Sequence, residues 1–319
     1  MSDFQVKTPV GLIIFNRPQT TQKVFDAIRK MKPLKLYVVA DGPRTNSPDD
    51  MEKCEKTRAI IKQIDWECQV FTKFSNKNLG CGRGPSSGIS WIFEQEEEAI
   101  ILEDDCVPNQ SFFRYCQENL KKYREDKRVM LISGTNTLGE WKSSFQSYHF
   151  SVYGGIWGWA SWRRAWNYFD FEMKLWGDKE IRDRLRDVIG KKHFNQRKDI
   201  YTKTYYDHHD VSWWDYQWGF ARHIQSGLAI VPSRNLITNI GCGTDATHTS
   251  GSVFCNRQVH ELEFPLKHSK YVVVDKEYDN KFFDKISNQE NLVVRIIRGM
   301  CNKIRKIAAF RQNKIAKNF

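Results

Sequence analysis

The sequence predicts an α/β fold, with a mostly parallel central sheet covered by helices on both faces, and three observations predict it. Apolar runs of strand length alternate with helix-like stretches from Thr8 to Leu102, the order that right-handed crossovers turn into a parallel sheet. The runs lack polar alternation, so they read as strands buried on both sides. Each run also stops at a polar or charged group, and these groups collect on one edge of the sheet, where open α/β sheets bind ligands.

The first strand is Thr8-Pro9-Val10-Gly11-Leu12-Ile13-Ile14-Phe15, ending at Asn16-Arg17-Pro18 before a helical stretch from Thr20 to Lys30. Leu34 to Ala40 is the second, ending at the turn Asp41-Gly42-Pro43-Arg44, after which Pro48-Asp49-Asp50 opens a charged helix. Gln69 to Phe74 is the third, and it leads into Asn78-Leu79-Gly80-Cys81-Gly82-Arg83-Gly84-Pro85, read as a glycine-rich loop ahead of a helix through Trp91. That loop has neither the phosphate-loop spacing nor the glycine order of a dinucleotide fold. It reads as a tight connection or, through Arg83, as a diphosphate contact, because a guanidinium pairs two phosphate oxygens.

The fourth run, Ala99-Ile100-Ile101-Leu102, stops at three successive carboxylates, Glu103-Asp104-Asp105, followed by Cys106-Val107-Pro108. Adjacent acids repel one another, and at the end of a buried strand such a cluster is tolerable if a hard divalent cation supplies the missing positive charge. An isolated Glu-Asp-Asp would be a solvated turn. Its place after a buried strand points instead to a metal site.

Asn16-Arg17-Pro18, Ala40-Asp41-Gly42, Asn78-Leu79-Gly80 and Leu102-Glu103-Asp104-Asp105 with Pro108 and Phe112-Phe113 together resemble the successive motifs of GT-A glycosyltransferases. The likeness is to the inverting N-acetylglucosaminyltransferases that begin complex N-glycan branches and to their family-2-like bacterial relatives, over about residues 8 to 250. The resemblance implies a Rossmann-like GT-A sheet, a nucleotide-sugar donor and a Mn²⁺ or Mg²⁺ ion. It implies that Arg17 and Asp41 touch the nucleotide, that Asp105 ligates the metal, and that Glu103 and Asp104 hold sugar or ribose hydroxyls. A metal bridging the diphosphate would neutralise the leaving group without a general acid.

In the second half, Val129 to Gly134 and Leu228 to Pro232 read as strands, and Gly154-Gly155-Ile156-Trp157-Gly158-Trp159 mixes small and aromatic residues. The resemblance places Gly155, Trp157 and Gly158 beneath the donor sugar and the acceptor; the plain alternative is an aromatic core. Residues Gly177 to Tyr206 are charged and helix-prone without a sharp apolar stripe, and read as an acceptor-side insertion or lid. His208-His209-Asp210 reads as a solvated loop. Asp215 is the one acid in the aromatic segment Trp213 to Phe220. Desolvation there would suit a general base, the role the resemblance gives it, and a helix N-cap is the alternative. In the glycine-rich segment Gly241 to Thr249, His248 is the second candidate metal ligand and Asp245 stands behind it.

The formal charge of +12 is concentrated at the end: beyond Glu290 there is no acid, and Arg295 to Lys317 contributes eight positive charges. Val293, Ile297, Met300, Ile304 and Ile307 share one stripe there, so residues 291–319 predict a basic amphipathic helix suited to a membrane surface or a partner subunit. No nucleic-acid-binding motif accompanies the charge. The eight cysteines form no Cys-x-x-Cys pair and read as reduced and mostly buried. With no apolar signal core or membrane span, the expected location is the cytoplasm, at the inner face of the membrane if the tail binds it.

These readings combine into a GT-A domain over residues 1–265, with a nucleotide half at 1–128 and an acceptor half at 129–265, and a helical C-terminal extension at 266–319. The expected activity is metal-dependent inverting transfer from a nucleotide sugar, UDP-linked by preference, to a glycan acceptor, lipid-linked if the tail meets a membrane, in surface polysaccharide or lipopolysaccharide synthesis. The alternatives are a nucleotidyltransferase that makes a nucleotide sugar and a non-catalytic glycan- or nucleotide-binding module.

Overall fold

A computed structural model describes residues 4–241 and 255–286 of the chain. The chain divides into two compact units, residues 1–275 and 276–319. In the second unit, residues 276–286 are helical, with the Tyr278 and Phe282 rings stacked at 6.0 Å. The predicted basic helix at 291–319 and the candidates His248 and Asp245 lie outside the described residues.

The first unit is built on an eight-stranded sheet. Its strands are β1 (Val10–Ile14), β2 (Lys35–Ala40), β3 (Gln69–Phe74), β4 (Glu98–Glu103), β6 (Val129–Ser133), β7 (Tyr148–Ser151), β8 (Trp159–Trp162) and β9 (Leu228–Pro232). They lie in the order β3-β2-β1-β4-β8-β6-β9-β7. Strands β1 to β4 are mutually parallel, β8 runs against β4 and β6, β9 runs with β6, and β7 runs against β9. Six of the eight therefore point the same way, with β7 and β8 reversed. Two short strands, β5 (Cys106–Pro108) and β10 (Ile237–Asn239), pair antiparallel beside it.

The helices follow the predicted alternation: α1 (Pro18–Met31), α2 (Asp50–Ala59), α3 (Gly80–Gln95) and α4 (Gln110–Lys122) in the first half. In the second half come α5 (Arg163–Trp166), α6 (Lys179–Ile189), α7 (Lys191–Tyr206) and α8 (Asp215–Ile224). Pro18 begins α1 because its missing N–H costs nothing in the first turn. The α4 start is closed by Asn109, whose side chain accepts from the Phe112 amide at 3.1 Å.

Two expectations change here. The glycine-rich stretch is not a loop: Gly82, Arg83, Gly84 and Pro85 are all inside α3. The backbone amides of Leu79 and Gly80 at its start donate to the Asp41 carboxylate at 2.8 and 3.0 Å, which caps the helix from outside its own sequence. A Cβ on Gly82 would stand 2.8 Å from the Val211 carbonyl and 3.0 Å from that of Trp213, so this helix face must be bare for the segment before α8 to pack on it. The charged insertion, in turn, has a core of its own. Met173, Trp176, Leu185, Ile189, Tyr201 and Phe220 are buried together, with the Trp176 ring 5.2 Å from Tyr201 and 6.0 Å from Phe220.

Cys54, Cys68, Cys81, Cys106 and Cys116 carry free thiols, but Cys255 is in a disulfide, against the expectation of an all-reduced chain. Spacing along the sequence does not reveal a bond closed by folding. A disulfide is the kind of bond that oxidising surroundings preserve. Among the described residues no helix is long and apolar enough to cross a membrane.

Candidate active site

The strand register brings the charged ends together. Ile13 of β1 stands opposite Val39 of β2 and Glu103 of β4, so the residues after β1, β2 and β4 emerge at one edge. A cleft of about 1020 Å³ opens there, walled by Phe15, Asn16, Arg17, Asp41, Cys81, Glu103 and Asp104, with Arg44, Lys53 and Lys56 toward α2 and Ser212, Ile240 and Gly241 on the far side.

The acid cluster is built around Arg17. Its guanidinium donates to Asp104, with Nε at 3.2 Å and a second bond from Nη2, and Nη2 also lies 3.1 Å from Asp105. Asp105 is buried behind its neighbours: its Oδ1 accepts from the Cys106 thiol at 3.2 Å and from Asn239 Nδ2 at 3.3 Å. A Cβ on Gly241 would stand 2.1 Å from Asp105 Oδ2, so the chain presses on this carboxylate just before residue 242. Glu103 and Asp104, not Asp105, wall the cleft.

One guanidinium does not balance three carboxylates. Burial, then the charges of Asp105 and Asp104, push Glu103 up to about 8. Burial pushes Asp104 up to about 6, although Arg17 opposes it. A proton held near neutral pH is how the cluster relieves a net charge of −2, and a divalent cation would relieve it in the same place. Among the described residues no group of three or more His, Cys, Asp or Glu side chains is arranged as a ready metal cage. The hard oxygen donors and the excess of negative charge fit Mn²⁺ or Mg²⁺.

Asp41 walls the cleft but is already engaged: it accepts from the amides of Gly42, Leu79 and Gly80 and from Asn78 Nδ2. Burial nevertheless raises its pKa above the usual carboxylate value. Arg83, expected at the diphosphate, is exposed on α3 with its guanidinium 4.5 Å over the Phe171 ring, and it is not part of the cleft wall.

Asp215 begins α8; burial, with the charges of Glu103 and Asp104, raises the Cys81 thiol, and the charge of Asp215 adds a smaller push to Cys81 and to Glu103. Asp215 itself is not part of the cleft wall, and rings pack the chain on either side of it. Trp214, next to it, lies 5.9 Å from Trp159 and 6.1 Å from Trp166, and Trp218, one turn on, lies 5.0 Å from Trp166. Gly155, Trp157 and Gly158 lie outside the cleft wall. The Gly155 and Trp157 carbonyls accept from Ser133 and Thr135 hydroxyls at 2.8 Å, and the Gly158 carbonyl from the Gly134 amide at 2.8 Å. They fasten the chain ahead of β8 to the end of β6.

Sequence reasoning missed one constellation. Asp50, 2% exposed, accepts from Asn16 Nδ2 at 2.7 Å and from Arg44 Nε and Nη2 at 2.6 and 2.9 Å. The Arg44 bonds hold Asp50 down at about 2. This triad ties the end of β1, the turn after β2 and the start of α2 into one wall. The signal available was Asp50 itself, an acid among apolar packing positions of α2, and nothing in the sequence named its partners.

Fold and cleft together define an α/β protein with an acidic, ligand-sized crevice at the carboxyl ends of parallel strands. No family model matches the chain, and no curated protein matches it. Among solved structures, the mannosyltransferase PcManGT from Pyrobaculum calidifontis, solved with GDP-Man and Mn²⁺, is similar at 12% identity and a TM-score of 0.34 over 50% of this chain and 46% of that one. HddC from Yersinia pseudotuberculosis is similar at 7% identity and a TM-score of 0.32, over 49% of this chain and 77% of that one. The 4-diphosphocytidyl-2C-methyl-D-erythritol synthase from Anaerococcus prevotii is similar at 9% identity and a TM-score of 0.32, over 54% and 78%. The chain thus spans about half the length of the mannosyltransferase, and these likenesses carry no argument about the reaction.

Proposed function

We propose that the chain is a metal-dependent, inverting GT-A glycosyltransferase that moves a sugar from a nucleotide sugar, UDP-linked by preference, to a glycan acceptor of surface polysaccharide or lipopolysaccharide assembly. The observation that carries this reading is the crowding of three carboxylates against one guanidinium at the tip of β4, where Glu103 and Asp104 face a cleft of about 1020 Å³ and the charge of Asp215 reaches Glu103.

In this reading Glu103 and Asp104, at the cleft wall, would hold the divalent cation in place of Asp105, the ligand the resemblance implied, because Asp105 lies behind them engaged by Arg17, Cys106 and Asn239; His248 is the further ligand. Bound there, the cation offsets the charge that develops on the departing diphosphate. Arg17 and Asp41 flank the nucleotide, and Arg83 has no part in the site. Asp215 takes the proton of the acceptor hydroxyl as that oxygen bonds to the anomeric carbon and the bond to the diphosphate oxygen breaks on the opposite face. The product is an inverted glycoside and a free nucleoside diphosphate. If residues 291–319 bind a membrane, a lipid-linked acceptor would meet the site there, and deleting them would abolish binding to anionic vesicles.

Incubating the full chain with a set of nucleotide sugars and Mn²⁺ tests the reading. Metal-dependent release of nucleoside diphosphate is expected. Release of pyrophosphate from a sugar phosphate and a nucleoside triphosphate would replace it with the nucleotidyltransferase reading, and nucleotide binding without turnover would leave a binding module.

A further inference from the structure

The segment that carries Asp215 is fastened to α7 by contacts that have a chemical consequence. Trp213 Nε1 donates to Thr204 Oγ1 of α7 at 2.9 Å, and the Trp213 and Tyr216 rings, which flank Asp215 in sequence, meet edge to face at 6.1 Å. Both rings are only half-buried. Each carries a cation supplied by α7: Lys203 Nζ lies 5.4 Å from the centre of Trp213, and the Arg197 guanidinium 5.1 Å from the centre of Tyr216.

The helix that supplies them is lopsided in charge. It holds Lys191, Lys192, Arg197, Lys198 and Lys203 against a single acid, Asp199. Its inward side is taken by His193, Tyr201 and Thr204, which leaves Lys191, Lys192, Lys198 and Lys203 exposed. Half-exposed rings offer the flat apolar surface on which the C–H face of a sugar packs. Cations at those rings favour a ligand that brings negative charge with it and tax one that does not. The Asp215 charge reaches both Glu103 of the acid cluster and Tyr201 of α7, so the two partners of a transfer reaction would meet different fields near it: a cation-seeking cluster for the donor and an anion-seeking face for the acceptor.

We infer that the acceptor is an anionic glycan, bearing carboxylate or phosphate groups close to the hydroxyl that is glycosylated, and that α7 with Trp213 and Tyr216 is the face that recognises it. The inference rests on the proposed transferase reading, with Asp215 as the base.

The test compares ligands that differ only in charge. Binding of trigalacturonate is measured against its fully methyl-esterified form, and of mannose 6-phosphate oligosaccharides against the dephosphorylated ones, at low and at physiological salt. The anionic member of at least one pair is expected to bind about fivefold more tightly or better, with the preference shrinking as salt rises. The arm with the larger ratio tells carboxylate from phosphate. Lys203→Ala is expected to halve the preference or more, and Lys203→Arg to restore it, which a merely structural role for that side chain would not produce. Equal binding within both pairs, no binding of any member, or a preference untouched by Lys203→Ala would overturn the inference. So would Lys203-dependent binding to anionic vesicles without any oligosaccharide preference. Donor turnover is followed separately. Its absence together with a retained charge preference sinks the transferase reading alone, and its presence with no preference sinks this one alone.

Discussion

At the tip of β4, Asp104 and Asp105 are held by charge, through the Arg17 guanidinium; at the start of α8, the segment that carries Asp215 is packed by rings, Trp214 and Trp218 set among Trp159 and Trp166. The two regions solve one problem, how to fix the chain around an acid, by different physics. A charge-held cluster is stiff only while its charges balance, and this one carries an excess that protonation or a bound cation must absorb. A segment fixed by ring packing does not depend on a balance of charges to keep its backbone in place. The teaching of the difference is that ligand binding should change the first region's stability and leave the second region's geometry alone.

The largest expected effect sharpens that contrast. Asp215→Asn keeps the volume and the packing of the α8 start while removing the proton acceptor, so transfer should fall by about 10²–10⁴-fold with nucleotide binding retained. Full activity in this variant would end the assignment of Asp215 as base. Arg17→Gln acts on the other region. Two buried carboxylates lose their only cationic partner among the described residues, at a cost of about 3 kcal/mol in urea unfolding. Mn²⁺ should recover part of that loss, and identical unfolding midpoints with and without the metal would show that the acids do not hold it.

Acid separates the halves by pH. His149 on β7 is 3% exposed, and burial lowers its pKa from 6.5 to about 4. His223 of α8, also buried, is shifted in the same direction by burial and by the charge of Arg222. For such groups the unfolded chain takes the proton first, so stability is full above 6.5 and falls as pH drops from there toward 4, by about 3 kcal/mol for His149. Asp50 in the first half behaves otherwise. Arg44 depresses its pKa from 3.8 to about 2, so its contribution is intact above 3.8 and is lost only as pH falls from there through about 2. In the same window Glu103 and Asp104, raised to about 8 and about 6, take up protons first in the folded chain and add stability as pH falls, so the readout is the difference between two variants. In unfolding followed by tryptophan fluorescence, the stability of the native chain relative to His149→Phe should fall by about 3 kcal/mol between pH 6.5 and 4 and stay level through the Asp50 limb below 3.8.

How much of this was legible depends on whether a feature is local. The strands were, because burial on both faces writes an uninterrupted apolar run, and their shared direction followed from the helices between them. The start of α3 was not: Gly80, Gly82, Gly84 and Pro85 are breakers by propensity, and the helix forms because the Asp41 carboxylate caps it and because neighbours press on its bare face. The insertion hid its core because Trp176, Tyr201 and Phe220 come from three separate segments, and no single helical stripe displays them. The acids at the β4 tip could be read from sequence as a charge excess, but not that Arg17, at the end of β1, would already bind two of them.

The smallest expected effect joins the two regions. Gly82 is where α3, which starts at the donor cleft, touches the backbone of Val211 and Trp213, which leads to Asp215. In Gly82→Ala the added methyl meets two carbonyl oxygens at 2.8 and 3.0 Å, and since backbone cannot rotate away, the segment must move by a few tenths of an ångström. Alanine raises helix propensity by about 1 kcal/mol at an exposed site, which would mask part of the strain in a stability measurement. The informative readout is catalytic: misplacing a base by that distance should lower kcat several-fold, with nucleotide affinity and the stabilising effect of Mn²⁺ unchanged. A loss of nucleotide affinity equal to the loss in kcat would mean instead that the ring-held segment and the charge-held cluster move as one body.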